Sequence, residues 1–306
     1  ISEIIDYEKN NIKLTSSNKT ATFLLTSSSS KYPLIICLEN SIKKINANID
    51  ILLGDKNLNT VSRYHQFKFL KMPKTLKKNK YKIRDYCVTN NVKYVLPTRD
   101  AELEFWSQNI NFFKKYGVNV FVSPVNYIKL CRDKLKFSQF CKKNKFNAIN
   151  SYLHIDKINT NKIVVKERFG SGSKQLGINL SRKKALIFAK NLKQPIFQEY
   201  ITGKEISIDV WISKTNEIKG MILRFRNLVI DGESKISTTF ENIKIEKSIE
   251  KFVKKFKFKG FICIQGIIKN ENEFMIIECN PRIGGASTLG IQKGLDGIYW
   301  SILEAD

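Results

Sequence analysis

The residues of this 306-residue chain with the clearest chemical potential lie near its carboxyl end, in Phe261–Gly285 (FICIQGIIKNENEFMIIECNPRIGG). Two apolar, β-rich runs flank the polar residues 270–273, and this pattern predicts a β-hairpin. Gln265 interrupts the first run, while Glu278 and Asn280 are two residues apart and therefore point to one face of the second strand. Antiparallel pairing can bring the three oxygen donors together, as Mg²⁺ (or Mn²⁺) shared with substrate phosphates requires.

Arg282 follows this set and is suited to act as a fixed cation for a phosphoryl oxygen. Pro281 turns the chain out of the strand, and Gly284–Gly285 allow the backbone to approach a ligand closely. A surface hairpin that ends in an ordinary turn has the same pattern. The remainder of the chain has to decide between these two interpretations.

A second chemical signal is the glycine-rich segment 169–177 (FGSGSKQLG), which lies between two runs typical of antiparallel strands. Backbone N–H groups of such a flap can bind phosphates, and Lys166 ends the strand that leads into it. The segment lacks the spacing of a Walker loop, and no helix follows it directly. An ordinary flexible hairpin turn remains the alternative.

Polar residues also recur along two later strands. Glu205, Ser207 and Asp209 alternate with apolar residues, so they share one strand face that borders either solvent or a cleft. Arg224 and Arg226 share a face of the next strand, where two guanidinium groups can clamp an acidic substrate or a phosphate. A solvated strand edge is the alternative for this pair. Asp231–Thr239 then predicts a polar, mobile loop.

The amino-terminal region reads as alternating strands and helices. A strand at 21–26, a helix at 33–45 and a strand at 49–53 predict a parallel sheet. Residues 1–20 predict an irregular arm or an edge strand, and the polar turn Ser27–Lys31 lacks the glycines of a dinucleotide-binding loop.

Further along, a strand at 92–96 precedes Arg99 and Asp100, and Asp100 is expected to cap a helix over 101–116. Ligands bind at the carboxyl ends of strands in open α/β sheets, so Arg99, Asp100 and Glu102 are substrate-site candidates. A purely structural N-cap is the alternative role for Asp100.

The composition excludes several classes of protein. The net charge of +25 comes from 53 basic residues, but only nine are Arg and the lysines are dispersed, so nucleic acid is not an expected partner. Six scattered cysteines without C-x-x-C spacing predict reduced core residues of a cytoplasmic protein. No apolar run reaches membrane-spanning length, and the first residues lack a signal-peptide pattern.

Taken together, four ordered segments resemble the ATP-grasp superfamily, and most of all the carbamoyl-phosphate synthase large-subunit group: VVKERFGSGSKQLGI, IFQEYITGKEISID, CIQGII and IIECNPRIGG. The resemblance covers about residues 21–306. It implies an α/β fold with α+β lobes, in which a small parallel α/β domain at 1–123 precedes a two-lobed ATP-grasp domain at 124–306. The flap-bearing small lobe would span about 150–200.

The resemblance also implies roles for individual residues. Lys134 and Lys166 match basic nucleotide contacts, and Glu205 matches the acidic residue after the interlobe hinge. The hinge, which also contains the nucleotide-site residue Gln198, would bind adenine through backbone groups of Glu199, Tyr200 and Ile201, and a carboxylate would bind ribose. The remaining matches are the flap residues Gly170, Ser171, Gly172 and Ser173, the nucleotide and metal residue Gln265, the metal ligands Glu278 and Asn280, and the catalytic residues Arg282 and Lys166. Arg224 is added to the catalytic set as a candidate for holding the carboxylate substrate.

These matches predict an ATP-dependent carboxylate–amine ligase that uses Mg²⁺ or Mn²⁺, forms an acylphosphate and passes the acyl group to an amine or another nucleophile. Small-molecule carboxylates and amines are the expected partners, with no membrane and with a homodimer allowed. The chain has one such module where the large subunit has two, so full carbamoyl-phosphate synthesis is not expected. A regulatory protein that binds ATP without catalysis, and a nucleic-acid binder, are the rival hypotheses.

Overall fold

The computed structural model describes residues 20–45, 48–170, 172, 175–270 and 273–305, and these residues form three β-sheets. The predicted arm at 1–20 lies outside the described residues except for Thr20. The architecture is a mixed α/β fold in which an amino-terminal parallel sheet precedes two antiparallel sheets, as the sequence predicts.

The first sheet is parallel and has the strand order β3-β2-β1-β4-β5. Its strands are β1 (Ala21–Thr26), β2 (Ile49–Asp55), β3 (Lys68–Lys71), β4 (Val92–Pro97) and β5 (Asn119–Val120). Its helices are α1 (Tyr32–Ile45), α2 (Lys80–Thr89), α3 (Asp100–Gln108) and α4 (Ile110–Lys114). Because the chain order reverses between β1 and β4, a crevice opens there at the carboxyl ends of the strands.

The strands of this sheet are nearly continuous apolar runs because helices cover both faces. Leu24, Val95 and Trp106 are buried in one core, and Phe23, Leu25 and Tyr94 in another on the opposite side of the sheet. Fully burying a side chain of this size contributes about 1.5–3 kcal/mol relative to leaving it exposed. The sheet is therefore a rigid support for the loops at its carboxyl edge.

The second sheet is small and antiparallel, with the order β6-β9-β7-β8. It consists of β6 (Ser151–Tyr152), β7 (Ile163–Glu167), β8 (Leu176–Leu180) and β9 (Pro195–Glu199), and α7 (Arg182–Ala189) packs on it. The helices α5 (Val125–Arg132) and α6 (Lys134–Lys143) connect it to the first sheet along the chain. The β7–β8 pair carries the glycine-rich segment at its turn, where the sequence predicts a flap.

The third sheet is antiparallel and has the order β12-β11-β10-β13-β14. Its strands are β10 (Lys204–Ile212), β11 (Ile218–Ile230), β12 (Glu233–Phe240), β13 (Gly260–Asn270) and β14 (Glu273–Asn280). The helices α8 (Ile243–Lys255), α9 (Thr288–Gln292) and α10 (Gly297–Ala305) complete the described chain. Ile245, Ile249 and Phe252 form the buried stripe of α8, which covers one face of the sheet and leaves the other for polar residues.

Two sequence predictions are wrong. The expected polar loop at Asp231–Thr239 is instead β12, paired with β11 so that only the turn Asp231–Gly232 separates them. The expected helix at 101–116 is split in two at Asn109, and it begins at Asp100 with Arg99 in the N-cap position. The Asp100 carboxylate is therefore not a helix cap.

One further prediction holds for the described part of the chain. All six cysteines are free and buried, and burial raises the pKa of the Cys279 thiol well above its ordinary value. No helix among the described residues is both long and apolar enough to cross a membrane.

Candidate active site

A cleft of about 1310 Å³ opens where the three sheets meet. The carboxyl-end loops of the parallel sheet, the β7–β8 pair and the polar face of the third sheet all contribute to its wall. Pockets for one drug-sized ligand measure roughly 300–1,000 Å³. The cleft is therefore large enough for a nucleotide together with a second small molecule.

The polar face of the third sheet follows from strand register. One cross-strand row contains Arg224, Ser207, Gln265 and Glu278, which are direct partners from β11 to β14. Because alternate residues of a strand share a face, Asn280 points to the same side as Glu278. The amide Nδ2 of Asn280 donates a hydrogen bond to Glu278 Oε1 at 3.1 Å. The three oxygen-bearing side chains predicted from the sequence thus lie together on the cleft wall.

The chemistry of this donor set suits a hard divalent cation. Gln265, Glu278 and Asn280 present amide and carboxylate oxygens, which are the ligands that Mg²⁺ prefers over nitrogen or sulfur. No group of three or more His, Cys, Asp and Glu side chains is placed to bind a metal within the described ranges. A cation held here would therefore need oxygens from a bound substrate as well, as Mg²⁺ does when phosphates complete its shell.

Lys166 faces the same wall from β7. Its side chain is buried, and desolvation lowers its pKa from 10.5 to about 8, although the Glu278 carboxylate acts in the opposite direction. Nearby Lys134 lowers the Lys166 pKa further. A buried ammonium that has no hydrogen bond to a described carboxylate is costly, and an anionic ligand would remove that cost.

The base of the predicted flap is fixed to α6. Asp133 caps that helix by accepting from the Lys136 N–H at 3.1 Å, and it also binds Arg168 through two hydrogen bonds of 2.6 and 2.7 Å. The Lys134 ammonium donates to the Gly170 carbonyl at 2.6 Å. Gly170, Gly172 and Lys134 line the cleft, whereas Ser171 and Ser173 lie outside the described residues.

The predicted hinge also lines the cleft, through Gln198, Glu199, Tyr200 and Ile201. The Gln198 side chain is buried and donates to Ser151 Oγ at 2.8 Å, so it holds β9 against β6. The Tyr200 N–H donates to the Lys162 carbonyl at 2.9 Å and is not available to a ligand. Nucleotide contacts from this segment would therefore come from other backbone groups.

Apolar residues line the same cleft as the hinge. They come from β7, β8, β13 and β14 and from the segment before β6, and they comprise Ile149, Val164, Leu176, Ile267 and Ile277. Ligand sites are predominantly apolar with a few placed polar groups. Glu205, which is half exposed, supplies one such group and pairs with Arg226 at 3.3 Å.

Arg224 is engaged by a buried network. Its Nε donates to Asp209 Oδ2 at 2.7 Å, and only 2% of the Arg224 side chain is exposed. Ser287 Oγ donates to Asp209 Oδ1 at 2.5 Å and accepts from the Gly284 N–H at 2.8 Å. The network joins the third sheet to the glycine loop, so Arg224 is already paired with an acid of the chain itself.

Arg282 is paired in a similar way. Its Nε and Nη2 donate to the two carboxylate oxygens of Asp100 at 2.8 and 2.6 Å, and its Nη1 donates to the Ile283 carbonyl at 3.0 Å. Arg282 lies just after β14 and Asp100 begins α3, so this bidentate pair connects the parallel sheet to the third sheet. A phosphate-facing role for Arg282 would use the cleft-facing side of a guanidinium that is held by Asp100.

The substrate-site candidates of the amino-terminal region separate into two groups. Arg99 and Asp100 line the cleft. Glu102 does not, because its side chain is 2% exposed and accepts from the N–H groups of Thr98 and Arg99. Burial raises the pKa of Glu102. Its expected substrate contact is therefore wrong, and it holds the loop after β4 in place.

Two charged residues that the sequence interpretation did not assign, Lys31 and Glu233, belong to this region, together with Asp209, which the sequence places on a strand face bordering solvent or a cleft. Lys31 and Glu233 line the cleft, and Asp209 is buried directly beneath it. Asp209 shares a strand face with Glu205, which the alternation in the sequence already indicates. No local pattern marks Lys31 or Glu233, because their proximity arises only when the first and third sheets pack together.

Comparison with known families yields two matches. Residues 131–286 match the model of the ATP-grasp domain. Residues 23–121 match the model described as PylC-like, N-terminal domain. No curated protein sequence matches the chain.

Solved structures share the fold at low sequence identity. Biotin carboxylase from Campylobacter jejuni, in a complex with β-γ-ATP, superposes with a TM-score of 0.71 at 15% identity over 94% of this chain and 71% of its own. The biotin carboxylase domain dimer of Hydrogenobacter thermophilus 2-oxoglutarate carboxylase, with MgADP and bicarbonate, superposes with a TM-score of 0.73 at 13% sequence identity. The match covers 94% of this chain and 70% of that one. An L-amino acid ligase from Bacillus licheniformis superposes with a TM-score of 0.68 at 12% sequence identity over 94% of this chain and 75% of its own.

Proposed function

The chain belongs to the ATP-grasp domain family, and we propose that it is a Mg²⁺-ATP-dependent ligase that joins a carboxylate to an amine or another nucleophile. The observation that carries the proposal is the cluster on the cleft wall. Gln265 and Glu278 are register partners, Asn280 hydrogen-bonds Glu278, and the buried Lys166 faces them. This cluster combines oxygen donors for a metal with a cation for phosphates.

In this proposal the apolar wall beside the hinge holds adenine, and Glu205 accepts a hydrogen bond from the ribose. Lys134 and Lys166 contact the phosphates, and so does the flap backbone at Gly170 and Gly172. Gln265, Glu278 and Asn280 would hold Mg²⁺, with Mn²⁺ as a substitute. When bound, the metal neutralises charge on the phosphates and on the developing transition state.

The proposed reaction has two steps. A carboxylate oxygen of the acceptor attacks the γ-phosphorus of ATP, the bond to the β–γ bridging oxygen breaks, and ADP leaves with that electron pair. An amine or other nucleophile then attacks the acyl carbon and displaces phosphate, and the amine loses its proton. Both reactants of the first step are anions, so the protein contributes mainly positioning and charge neutralisation.

Two arginines have roles in this scheme. Arg282, oriented by Asp100, would stabilise charge on the transferred phosphoryl group. Arg224, oriented by Asp209, would face the acceptor carboxylate. We include two further points in the proposal. The chain divides into domains at 1–123 and 124–306, with a small lobe at about 150–200, and it forms a homodimer. The Hydrogenobacter thermophilus domain, whose structure is described as a dimer, supports the second point.

The test is transfer of oxygen from acceptor to phosphate. The chain is incubated with Mg²⁺, ATP and a panel of ¹⁸O-carboxylates and amines, and ADP and the isotopic composition of phosphate are measured. Acylphosphate formation places one carboxylate oxygen in the released phosphate. Unlabelled phosphate from every carboxylate would contradict the proposal, because water would then be the acceptor.

The rival hypothesis is an ATP-binding regulatory protein of the same fold. It predicts tight MgATP binding with no carboxylate-dependent ADP formation in the same panel. The cluster of Glu278, Gln265 and Lys166 suits both hypotheses, because binding of MgATP alone also needs metal ligands and a cation for phosphates. Carboxylate-dependent ADP formation therefore decides between them.

A further inference from the structure

A second cation of restricted exposure, Lys31, lines the same cleft as Lys166. It follows the loop after β1 and is half-buried. Its ammonium forms no hydrogen bond or ion pair with the residues that the structure describes. Arg224 and Arg282, in contrast, are paired with carboxylates. A buried ammonium without such a partner is unfavourable unless a ligand provides the counter-charge.

The charged groups around Lys31 include more cations than carboxylates when Lys31 itself is counted. The groups that act on it through space are two carboxylates, Glu233 and Asp100, and two further cations, Arg282 and Lys235. Asp100 is held by Arg282 through two hydrogen bonds, and Glu233 accepts from Lys235 at 2.6 Å. Each of the two carboxylates is thus already paired with another cation, and no carboxylate among the described residues that act on Lys31 is left to pair with it. Burial lowers the pKa of Lys31, as expected for an ammonium in this position.

Lys31 lies in a part of the fold where ligands bind in related sheet architectures. The loops after β1 and β4 flank the crevice where the strand order of the parallel sheet reverses, and open α/β sheets bind ligands at such points. Ser29 and Thr98, from these two loops, line the same cleft wall. Glu233 lies against Gly285 so closely that a Cβ there would lie 1.9 Å from Glu233 Oε1. The third sheet therefore closes this end of the cleft opposite Lys31.

We propose that Lys31 anchors an oxyanion of the acceptor substrate, either a carboxylate or a phosphate group, in the crevice between β1 and β4. The proposal rests on the ligase function proposed above, because it assigns the end of the cleft that the nucleotide does not occupy. The acceptor would then lie between Lys31 and the Glu278 cluster, with its reactive carboxylate towards the latter. Lys31 would be a binding residue that selects anionic acceptors.

The test measures oxyanion binding directly. The full chain is saturated with Mg²⁺ and a non-hydrolysable ATP analogue, so that the nucleotide end is filled, and is titrated calorimetrically with acetate and separately with inorganic phosphate. Lys31→Met removes the charge at similar length, Lys31→Arg keeps it, and Lys56→Met is the control. Lys56 lines the same cleft but is exposed, so its loss changes the general field by the same one charge.

We expect Lys31→Met to weaken binding of one probe at least about tenfold, which corresponds to the loss of a charge-assisted hydrogen bond. Lys31→Arg should retain most of the affinity, and Lys56→Met should stay within about twofold because an exposed charge is screened. Affinity for the nucleotide analogue should be unchanged in all three variants. The probe that is lost, acetate or phosphate, identifies which oxyanion the site takes.

Three results would overturn the proposal. One is unchanged binding of both probes by Lys31→Met, and another is no binding of either probe by the unmodified chain. The third is an equal loss in Lys56→Met, which would indicate a general electrostatic effect. Because the titration requires no turnover, absence of carboxylate-dependent ADP formation would contradict the ligase function and leave the result for Lys31 standing.

Discussion

The arginines and two of the lysines around the cleft differ in what they are bound to. Arg224 and Arg282 are each held by an aspartate of the chain itself, with donor–acceptor distances of 2.6–2.8 Å in their closest bonds. Lys166 is buried and Lys31 is half-buried beside the same cleft, yet neither hydrogen-bonds a described carboxylate. The arginine pairs therefore complete the frame of the site and meet a ligand with their charge already paired, whereas the lysines are the cations whose charge no bond to a described carboxylate offsets.

This difference follows from the chemistry of the two side chains. A guanidinium is planar and forms two parallel bonds to a carboxylate, so it serves well as a fixed connection between elements. An ammonium is a compact point charge whose pKa shifts readily on burial. Substitutions on the arginine side should consequently affect stability first, and substitutions on the lysine side should affect ligand binding first.

The largest effect is expected for Asp209→Asn. It leaves the buried Arg224 guanidinium without its counter-charge and weakens the bond from Ser287, and breaking a buried pair in this way costs about 3–5 kcal/mol. Urea denaturation measures the free energy of unfolding. The double variant Asp209→Leu with Arg224→Met should recover much of that loss, because no uncompensated charge remains. A loss below about 1 kcal/mol in the single variant would contradict the structural role of this pair.

Glu278→Gln should act on turnover instead of stability. The change preserves shape but removes the only carboxylate of the proposed metal set, and carboxylate-dependent ADP formation should fall by at least the roughly 100-fold that loss of a partner of a metal ligand can cost. The matched control is Glu273→Gln on the same strand, where the carboxylate pairs with Lys269 at 3.8 Å. Equal effects of the two variants, or unfolding of Glu278→Gln, would assign Glu278 a structural role.

Lys166 should make ligand binding dependent on pH. Its pKa of about 8 means that the ammonium loses its proton above that pH, so MgATP affinity should fall by up to about tenfold per pH unit beyond it. Nucleotide titrations between pH 6.5 and 9.5 (roughly this range brackets the pKa) measure the effect. Lys166→Arg should abolish the dependence, whereas Lys162→Arg, at an exposed position before the same strand, should retain it.

The same shift has a consequence for stability with the opposite sign. The folded pKa of Lys166 lies below the ordinary value of 10.5, so the unfolded chain binds this proton more tightly. The free energy of unfolding should therefore rise with pH between about 8 and 10.5, and Lys166→Met should remove this rise. If unfolding of the unmodified chain and of Lys166→Met depends on pH identically in this range, the lowered pKa is wrong.

The smallest effect is expected for Glu205→Gln. This residue is intermediate between the two groups, because it pairs with an arginine and is also a proposed ligand contact. Glu205 is 50% exposed and pairs with the buried Arg226 at 3.3 Å, so the loss of stability should stay below about 1 kcal/mol. Its proposed bond to ribose predicts a fall of a few-fold in MgATP affinity. Unchanged affinity, measured beside the exposed control Glu217→Gln, would remove Glu205 from the nucleotide site.

The elements with a clear period could be predicted from the sequence. The hairpin β13–β14 carries apolar runs around a polar turn, and the residue spacing already indicates that Gln265 and Glu278 can meet. Strand β12 could not be predicted in this way. Its residues 233–240 (ESKISTTF) are mainly polar, so they show no apolar period typical of a strand. The segment is a strand because it pairs with β11 in the folded chain.

Residues whose roles depend on packing between sheets were also beyond sequence reasoning. Asp100 reads locally as a helix cap, but its carboxylate binds Arg282, a residue 182 positions away. Glu102 reads as a cleft residue, but its position in the first turn of α3 directs it to backbone N–H groups. In both cases the local pattern places the residue near the start of a helix but does not reveal its partner.

The Asp100–Arg282 pair has a consequence for recombination between related chains. A chimera that exchanges the first 123 residues for those of another family member would keep Arg282 and replace Asp100. Such an exchange is tolerated only if the incoming segment brings a carboxylate to the start of α3. The two halves of this chain are therefore interchangeable as modules only when these two positions are inherited together.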